Sequence, residues 1–121
     1  GIDFTARDLQ NTLKEKSLPW EKAKAFDGAA VVGDWLNKAM FQNINHLSFS
    51  LIKNGDIVQQ GKTSQMLWKI DELIAYVSQY FTLKIGDIIF TGTPSGVGPV
   101  SSGDRLEGEL EGHKMFAIKV K

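Results

Sequence analysis

An α+β, mainly β fold is the class this sequence predicts, and three observations predict it. Leu47, Phe49 and Leu51 alternate with Ser48 and Ser50 just ahead of Asn54-Gly55. Ile70, Leu73, Ile74, Val77, Tyr80 and Phe81 recur at three- and four-residue steps. The tail RLEGELEGHKMFAIKVK alternates again on either side of Gly112. Period two marks a half-buried strand, and period 3.6 marks an amphipathic helix. Together they predict two helices, about 5–16 and 70–81, with six to eight strands in one domain spanning 1–121.

The first helix opens at Thr5, a hydroxyl suited to an N-cap, with Asp8 three residues on as an approximate capping box. Leu9 and Leu13 give it one apolar face, and Ser17-Leu18-Pro19 ends it, because the residue before a proline avoids the helical region. Residues 20–46 mix glycine, alanine and charge without a period and read as irregular with short strands. Asn54-Gly55 is a two-residue hairpin signal, since a type I′ turn needs positive φ at both centres. A return strand follows through Ile57 to Gln60. After the second helix, Thr82–Asp87 turns the chain and Ile88-Ile89-Phe90 reads as a buried strand.

Composition excludes several function classes. The chain has 121 residues, 42% apolar and 23% charged, as expected for a soluble globular domain. Its 14 basic and 14 acidic residues cancel, so nothing recruits nucleic acid or an anionic membrane surface. Without cysteine there is no disulfide framework, thiolate nucleophile or Cys-ligated zinc. No apolar run approaches the roughly 18 residues of a membrane span, and a cytoplasmic home is the default. The sequence begins at Gly1 rather than Met, directly in a strand-like or helix-opening segment. The expectation is that it is the later part of a longer protein.

Thr91-Gly92-Thr93-Pro94-Ser95-Gly96-Val97-Gly98 fits no phosphate loop. It lacks the lysine of GxxxxGK[ST], and Pro99-Val100-Ser101-Ser102-Gly103 opens no helix after it. The dinucleotide fingerprint also fails on glycine spacing. The loop is either a glycine-rich connection between strands or, through the Thr91 and Thr93 hydroxyls and close backbone approach, the wall of a small-anion site. Asp3, before the first helix, is either a cap carboxylate or an oxygen ligand for a hard cation such as Mg²⁺. Gln10 lies two turns later, while Arg7 and Asp8 read as surface or cap residues. Lys24, between Ala23, Ala25 and Phe26, is either a solvated stem or an ammonium held near a carboxylate or a substrate oxyanion. His46 and His113 have no partners at ligand spacing, so a His-based zinc site or a Ser-His-Asp triad has no support. Glu107-Gly108-Glu109 alternates as the wet face of a strand and reads as solvated surface.

The segments DFTARDLQ, LPWEKAKAFDG, KNGDIVQQGKT, ELIAYVSQYFTLKIGDIIFTGTPSGVGPV and SSGDRLEGELEGH resemble, in order and over nearly the whole chain, the fumarylacetoacetate hydrolase family. GDWLNKAMFQNINHLSFSL matches only loosely. The resemblance implies a mixed β-roll packed as a homodimer, acting on a small 2-oxo or diketo acid such as an acylpyruvate, fumarylpyruvate or oxaloacetate. It implies Mg²⁺ or Mn²⁺ (Ca²⁺ as a further option) held in part by Asp3. Lys24 then stabilises negative charge on the substrate, Gln10 contacts it, and Thr93 with the Gly92 backbone holds its carboxylate. Hydrolysis or decarboxylation through an enolate is the implied reaction. A double-bond isomerase and a non-catalytic binding domain of the same fold are the alternatives. The family's further metal ligands, a Glu-x-Glu upstream of the Asp3 segment, and its lid His–Glu pair have no counterpart here. The expectation is therefore an inactive C-terminal part carrying one metal carboxylate of three.

Overall fold

A computed structural model describes residues 1–121 and contains two compact units, Gly1–Gly33 and Asp34–Lys121. In the first, β1 (Ile2–Asp3) leads into α1 (Arg7–Glu15) and then α2 (Glu21–Lys24), and β2 (Ala30–Val31) pairs antiparallel with β1. The expected start of α1 moves from Thr5 to Arg7. The residue ahead of the helix is Ala6, and no side chain caps it. The Thr5 hydroxyl instead accepts a hydrogen bond from Lys24 Nζ at 2.8 Å, and one tertiary bond outcompetes the local cap.

The other end of α1 closes by backbone bonding. Ser17 stands at φ 52°; its N–H donates to Lys14 O at 3.0 Å, and Leu18 N–H donates to Leu13 O at 2.9 Å. These are the 5→2 and 6→1 bonds of a Schellman motif, with serine in the left-handed position that glycine usually fills. The helix stops here by satisfying its own carbonyls, two residues before Pro19 constrains the chain. The buried face of α1 also differs from the expectation. Gln10 and Leu13 are buried, while Leu9 remains 40% exposed. Ala23 is wholly buried, and its carbonyl accepts from Ala6 N–H at 3.0 Å, locking α2 to the start of α1. Where a period could not be read, α2 therefore exists as one helical turn, too short to show periodicity.

The second unit is built on an antiparallel sheet of order β4-β3-β5-β6. Its strands are β3 (Ser48–Lys53), β4 (Asp56–Lys62), β5 (Arg105–Leu110) and β6 (His113–Lys119), with α3 (Ile70–Ser78) between β4 and β5. Both hairpins turn as expected. Asn54 and Gly55 have φ of 53° and 97°, and Glu111 and Gly112 have φ of 49° and 77°, the paired positive values of a type I′ turn. Asn54 is bonded outward as well: its Nδ2 donates to Asp104 Oδ1 and its Oδ1 accepts from Arg105 N–H, each at 2.8 Å.

Two cross-strand pairs place an aromatic ring over a glycine, Phe49 opposite Gly61 and Phe116 opposite Gly108. A Cβ on Gly61 would sit 2.6 Å from the Phe49 ring, and one on Gly108 would collide with Phe116. Each ring thus fills the space that its partner's missing side chain leaves, and both glycines are buried. Leu106, 1% exposed, is the most buried large side chain. Each hairpin carries one bulge. Leu51 opposes Gln59 and Ile52 opposes Ile57, leaving Val58 as an extra residue in β4. Gly108 opposes Phe116 and Glu109 opposes Lys114, leaving Met115 extra in β6. A bulged residue falls out of the ladder, and Met115 O accepts from Asp34 N–H at 2.8 Å.

Two expectations are corrected in this unit. The second helix ends at Ser78; Tyr80 and Phe81 follow it in a turn closed by bonds to Val77 O. None of its residues is buried, because an amphipathic period marks a face able to be covered without supplying the cover. The Ile88–Phe90 strand does not form: Ile88 and Phe90 are 49% and 41% exposed, and no strand of the sheet pairs with them. No helix is long and apolar enough to cross a membrane.

Candidate functional site

Three residues of the first unit converge. Asp3 ends β1, Thr5 lies in the link to α1, and Lys24 is the last residue of α2. Lys24 Nζ donates to Asp3 Oδ1 and Oδ2 at 2.7 Å each, and to Thr5 Oγ1 at 2.8 Å. An ammonium has three donors, and here each has an acceptor. The Asp3 and Lys24 side chains are 37% and 35% exposed, so solvent reaches the pair. An oxyanion arriving there meets a fixed cation whose charge is matched by one neighbouring carboxylate.

Gln10, one turn into α1, is 6% exposed, and its Oε1 accepts from Arg7 Nη1 at 3.0 Å. A buried amide leaves a cost of about 1–3 kcal/mol if unpaired, and Arg7 removes part of it. An open cleft of about 440 Å³ beside Lys24 is lined by Leu18, Pro19, Trp20 and Glu21. The Lys14 ammonium lies 4.4 Å from the Trp20 ring centre, a cation–π distance.

Gly92 and Thr93 lie in the second unit. Thr93 is exposed. Gly92 has φ 118° with open space where a Cβ would stand, so glycine is required by backbone conformation alone. The loop is fastened by its carbonyls. Gln59 Nε2 donates to Pro94 O at 3.2 Å, and Lys53 Nζ donates to Pro99 O at 3.0 Å. Gly96 lies so close to the Val58 carbonyl that an added Cβ would collide with it. Lys53 also pairs with Asp104 at 3.3 Å. The Asp104 carboxyl is held below its usual range, chiefly by the Asn54 hydrogen bond and then by Ser101 N–H, with Lys53 adding to both. The Glu107 carboxyl is lowered by Lys114 and then Arg105, so the expected surface glutamate is tied down by two cations.

A divalent cation of the Mg²⁺ type takes about six oxygen ligands. No group of three His, Asp or Glu side chains gathers anywhere in these residues, and both Asp3 oxygens are engaged by Lys24. Asp3 has the donor chemistry for such an ion, but the 121 residues do not complete a site for one. The structure thus joins Asp3 with Lys24, places Gln10 in the same unit, and sets Gly92 and Thr93 in the other. Sequence reasoning missed Thr5 as a Lys24 partner, because its N-cap signature was locally sufficient. It missed Gln59 because its partner is 35 residues away.

Comparison with known proteins gives the family. The family described as fumarylacetoacetate (FAA) hydrolase C-terminal matches residues 1–121. The chain is 46% identical over 116 residues to oxaloacetate tautomerase YcgM of Escherichia coli, covering 95% of this chain and 53% of that protein. It is 42% identical over 120 residues to human mitochondrial oxaloacetate tautomerase FAHD1, covering 99% and 54%. A crystal structure of a fumarylacetoacetate hydrolase family protein from Yersinia pestis superposes with a TM-score of 0.92 at 44% identity, over 98% of this chain and 56% of that one. Fumarylpyruvate hydrolase from Pseudomonas aeruginosa, solved with Mn²⁺ and pyruvate, superposes at 0.89 with 37% identity, over 98% and 51%. The chain spans about half the length of the relatives it matches. Its β-rich fold and whole-length family match make it a member of the fumarylacetoacetate hydrolase family, over that family's C-terminal domain.

Proposed function

We propose that these residues serve an enzyme that acts on a small 2-oxo or diketo acid by stabilising an enolate. The observation that carries the reading is the Lys24 ammonium, anchored at 2.7–2.8 Å to Asp3 and Thr5. A pre-positioned cation needs little reorganisation as negative charge develops on a substrate oxygen, and such preorganised charge is a large term in catalysis. To bond that oxygen, Lys24 exchanges one of its three acceptors for the substrate, keeping the others as its anchor. Gln10, steadied by Arg7, offers an amide to the substrate's polar groups. The Thr93 hydroxyl and the Gly92 N–H take the substrate carboxylate, which an acidic wall would repel.

Asp3 contributes one carboxylate toward a divalent cation, Mg²⁺ or Mn²⁺, in a ligand set that these residues do not complete. The fumarylpyruvate hydrolase solved with Mn²⁺ and pyruvate supports that choice of ion and of ligand class. Hydrolysis or decarboxylation is the first reading of the outcome. Keto–enol isomerisation is the second, favoured by the two relatives named as oxaloacetate tautomerases. Both need the same enolate and the same cation at Lys24.

The test uses the natural full-length protein that carries these residues. Enol-oxaloacetate loss is followed by ultraviolet absorbance, and acylpyruvate or fumarylpyruvate cleavage by product formation. Lys24→Met is expected to lower kcat about 100-fold or more on whichever substrate turns over, in line with loss of a preorganised charge. A Lys24→Met rate within twofold of the unaltered protein would remove Lys24 from the chemistry, whichever substrate is used.

A further inference from the structure

The Val58 bulge and its neighbour Gln59 have no part in the chemistry above, yet they meet the loop that does. An extra residue in an edge strand leaves the ladder and re-aims its neighbours. In β4 that residue is Val58, between the Ile57 and Gln59 pairings with β3. Its carbonyl lies against Gly96, where φ is +98° and no side chain fits. Gln59, next in line, sends its amide to Pro94 O at 3.2 Å, and its Cγ would stand 3.2 Å from a Gly96 Cβ. Two points of the loop therefore seat on two consecutive residues of the bulged strand.

Stiffness carries that anchor to the site. Proline holds its own φ near −65°, and a residue before proline is confined to extended conformations. Thr93 precedes Pro94, so it sits one stiff residue from the anchored carbonyl. Gln59 suits the task because it is a neutral donor that reaches a carbonyl across the strand edge. A carboxylate there would place charge against an acceptor, whereas an ammonium would keep the donor.

We propose that Gln59 is a positioning residue, which through the Pro94 carbonyl sets where the Thr93 hydroxyl stands and hence how tightly the substrate carboxylate is held. The inference rests on the reading of Thr93 as a carboxylate-holding group. Gln59 touches no substrate. It acts on affinity by limiting how far the loop strays from its working shape.

The experiment measures kcat and KM of the full-length protein for Gln59→Leu, Gln59→Glu, Gln59→Lys, Thr93→Val and the double variant Gln59→Leu/Thr93→Val. It also records backbone ¹⁵N heteronuclear NOEs at Gly92, Thr93, Gly96 and Gly98. Gln59→Leu and Gln59→Glu are expected to raise KM about three- to tenfold, the scale of one lost hydrogen bond, with kcat little changed. Gln59→Lys should recover most of that affinity by restoring a donor. The Gln59→Leu penalty should vanish when Thr93 is already Val, because coupled residues do not add. An unchanged KM, or a penalty that persists in the Thr93→Val background, would overturn the proposal. If Thr93→Val itself changes nothing, the reading of Thr93 fails separately. The NOEs then decide: lower loop order in Gln59→Leu keeps Gln59 as the loop's anchor, and unaltered order rejects it.

Discussion

The Asp3–Thr5–Lys24 cluster and the Thr91–Gly98 loop, one in each unit, are held in opposite ways. In the cluster, the functional groups bond each other directly, and a cation and an anion supply the strength. In the loop, Thr93 stays exposed, and residues outside the loop hold its backbone by the carbonyl of Pro94 and, just past its end, that of Pro99. A site element whose groups bond one another keeps its geometry but must break a bond to receive substrate. One held only through its backbone keeps its side chain free and depends on a close-fitting seat. The contrast matches the proposed roles: charge fixed in advance at Lys24, and an open hydroxyl at Thr93.

Gly96→Ala should break the contrast most forcefully. Alanine at φ +98° against the Val58 carbonyl forces the loop off its seat or strains the backbone, at a cost of about 1–3 kcal/mol. The expected outcome is a lower urea midpoint together with a raised KM. An unaltered KM would show that the loop does not need that seat. Thr5→Val removes one of three Lys24 acceptors from a site about a third exposed, and should cost about 1 kcal/mol while leaving Asp3 and Lys24 paired. Its measure is the shift in urea midpoint at constant m. A loss as large as that of Gly96→Ala would mean that the cluster, too, depends on a single contact.

The smallest effect is acid-linked. Asp104 and Glu107 have folded pKa values below their ordinary ones. Their stabilisation is therefore present above the unfolded values near pH 4 and is lost as pH falls through the folded ones. Protonating Asp104 also frees Lys53, which spans Asp104 and the Pro99 carbonyl at the loop's end. The urea midpoint should fall between pH 5 and 3, and Asp104→Asn should flatten that fall. A fall of equal slope in Asp104→Asn would place the acid sensitivity elsewhere.

Both hairpins were legible because their information is local. Asn54-Gly55 and Glu111-Gly112 take positive φ at adjacent residues, and alternation sets which side chains face the sheet. The candidate residues Asp3 and Lys24 were legible as chemical types, and their adjacency followed only from resemblance. The helix spanning Ile70–Ser78 was legible from its period, but its expected extension over Tyr80 and Phe81 was not realised. Periodicity records which faces are apolar, and it carries no signal for where hydrogen bonding stops. Ile88–Phe90 failed as a buried strand for a related reason. A short apolar run becomes a strand only beside a partner, and this sheet offers it none.

The sequence by itself determined the turns, the two hairpins of the four-stranded sheet and the existence of α3, because each depends on residues within a few positions of one another. Tertiary structure alone decided the rest. It made Thr5 a partner of Lys24 across 19 residues rather than a helix cap, buried Gln10 instead of Leu9, and set Gln59 on Pro94 across 35 residues. Those outcomes depend on which segments pack together. A hydroxyl or an amide has the same local propensities whether its partner is the neighbouring turn or a distant strand, and the choice is made only when the backbone brings one of them within hydrogen-bonding distance.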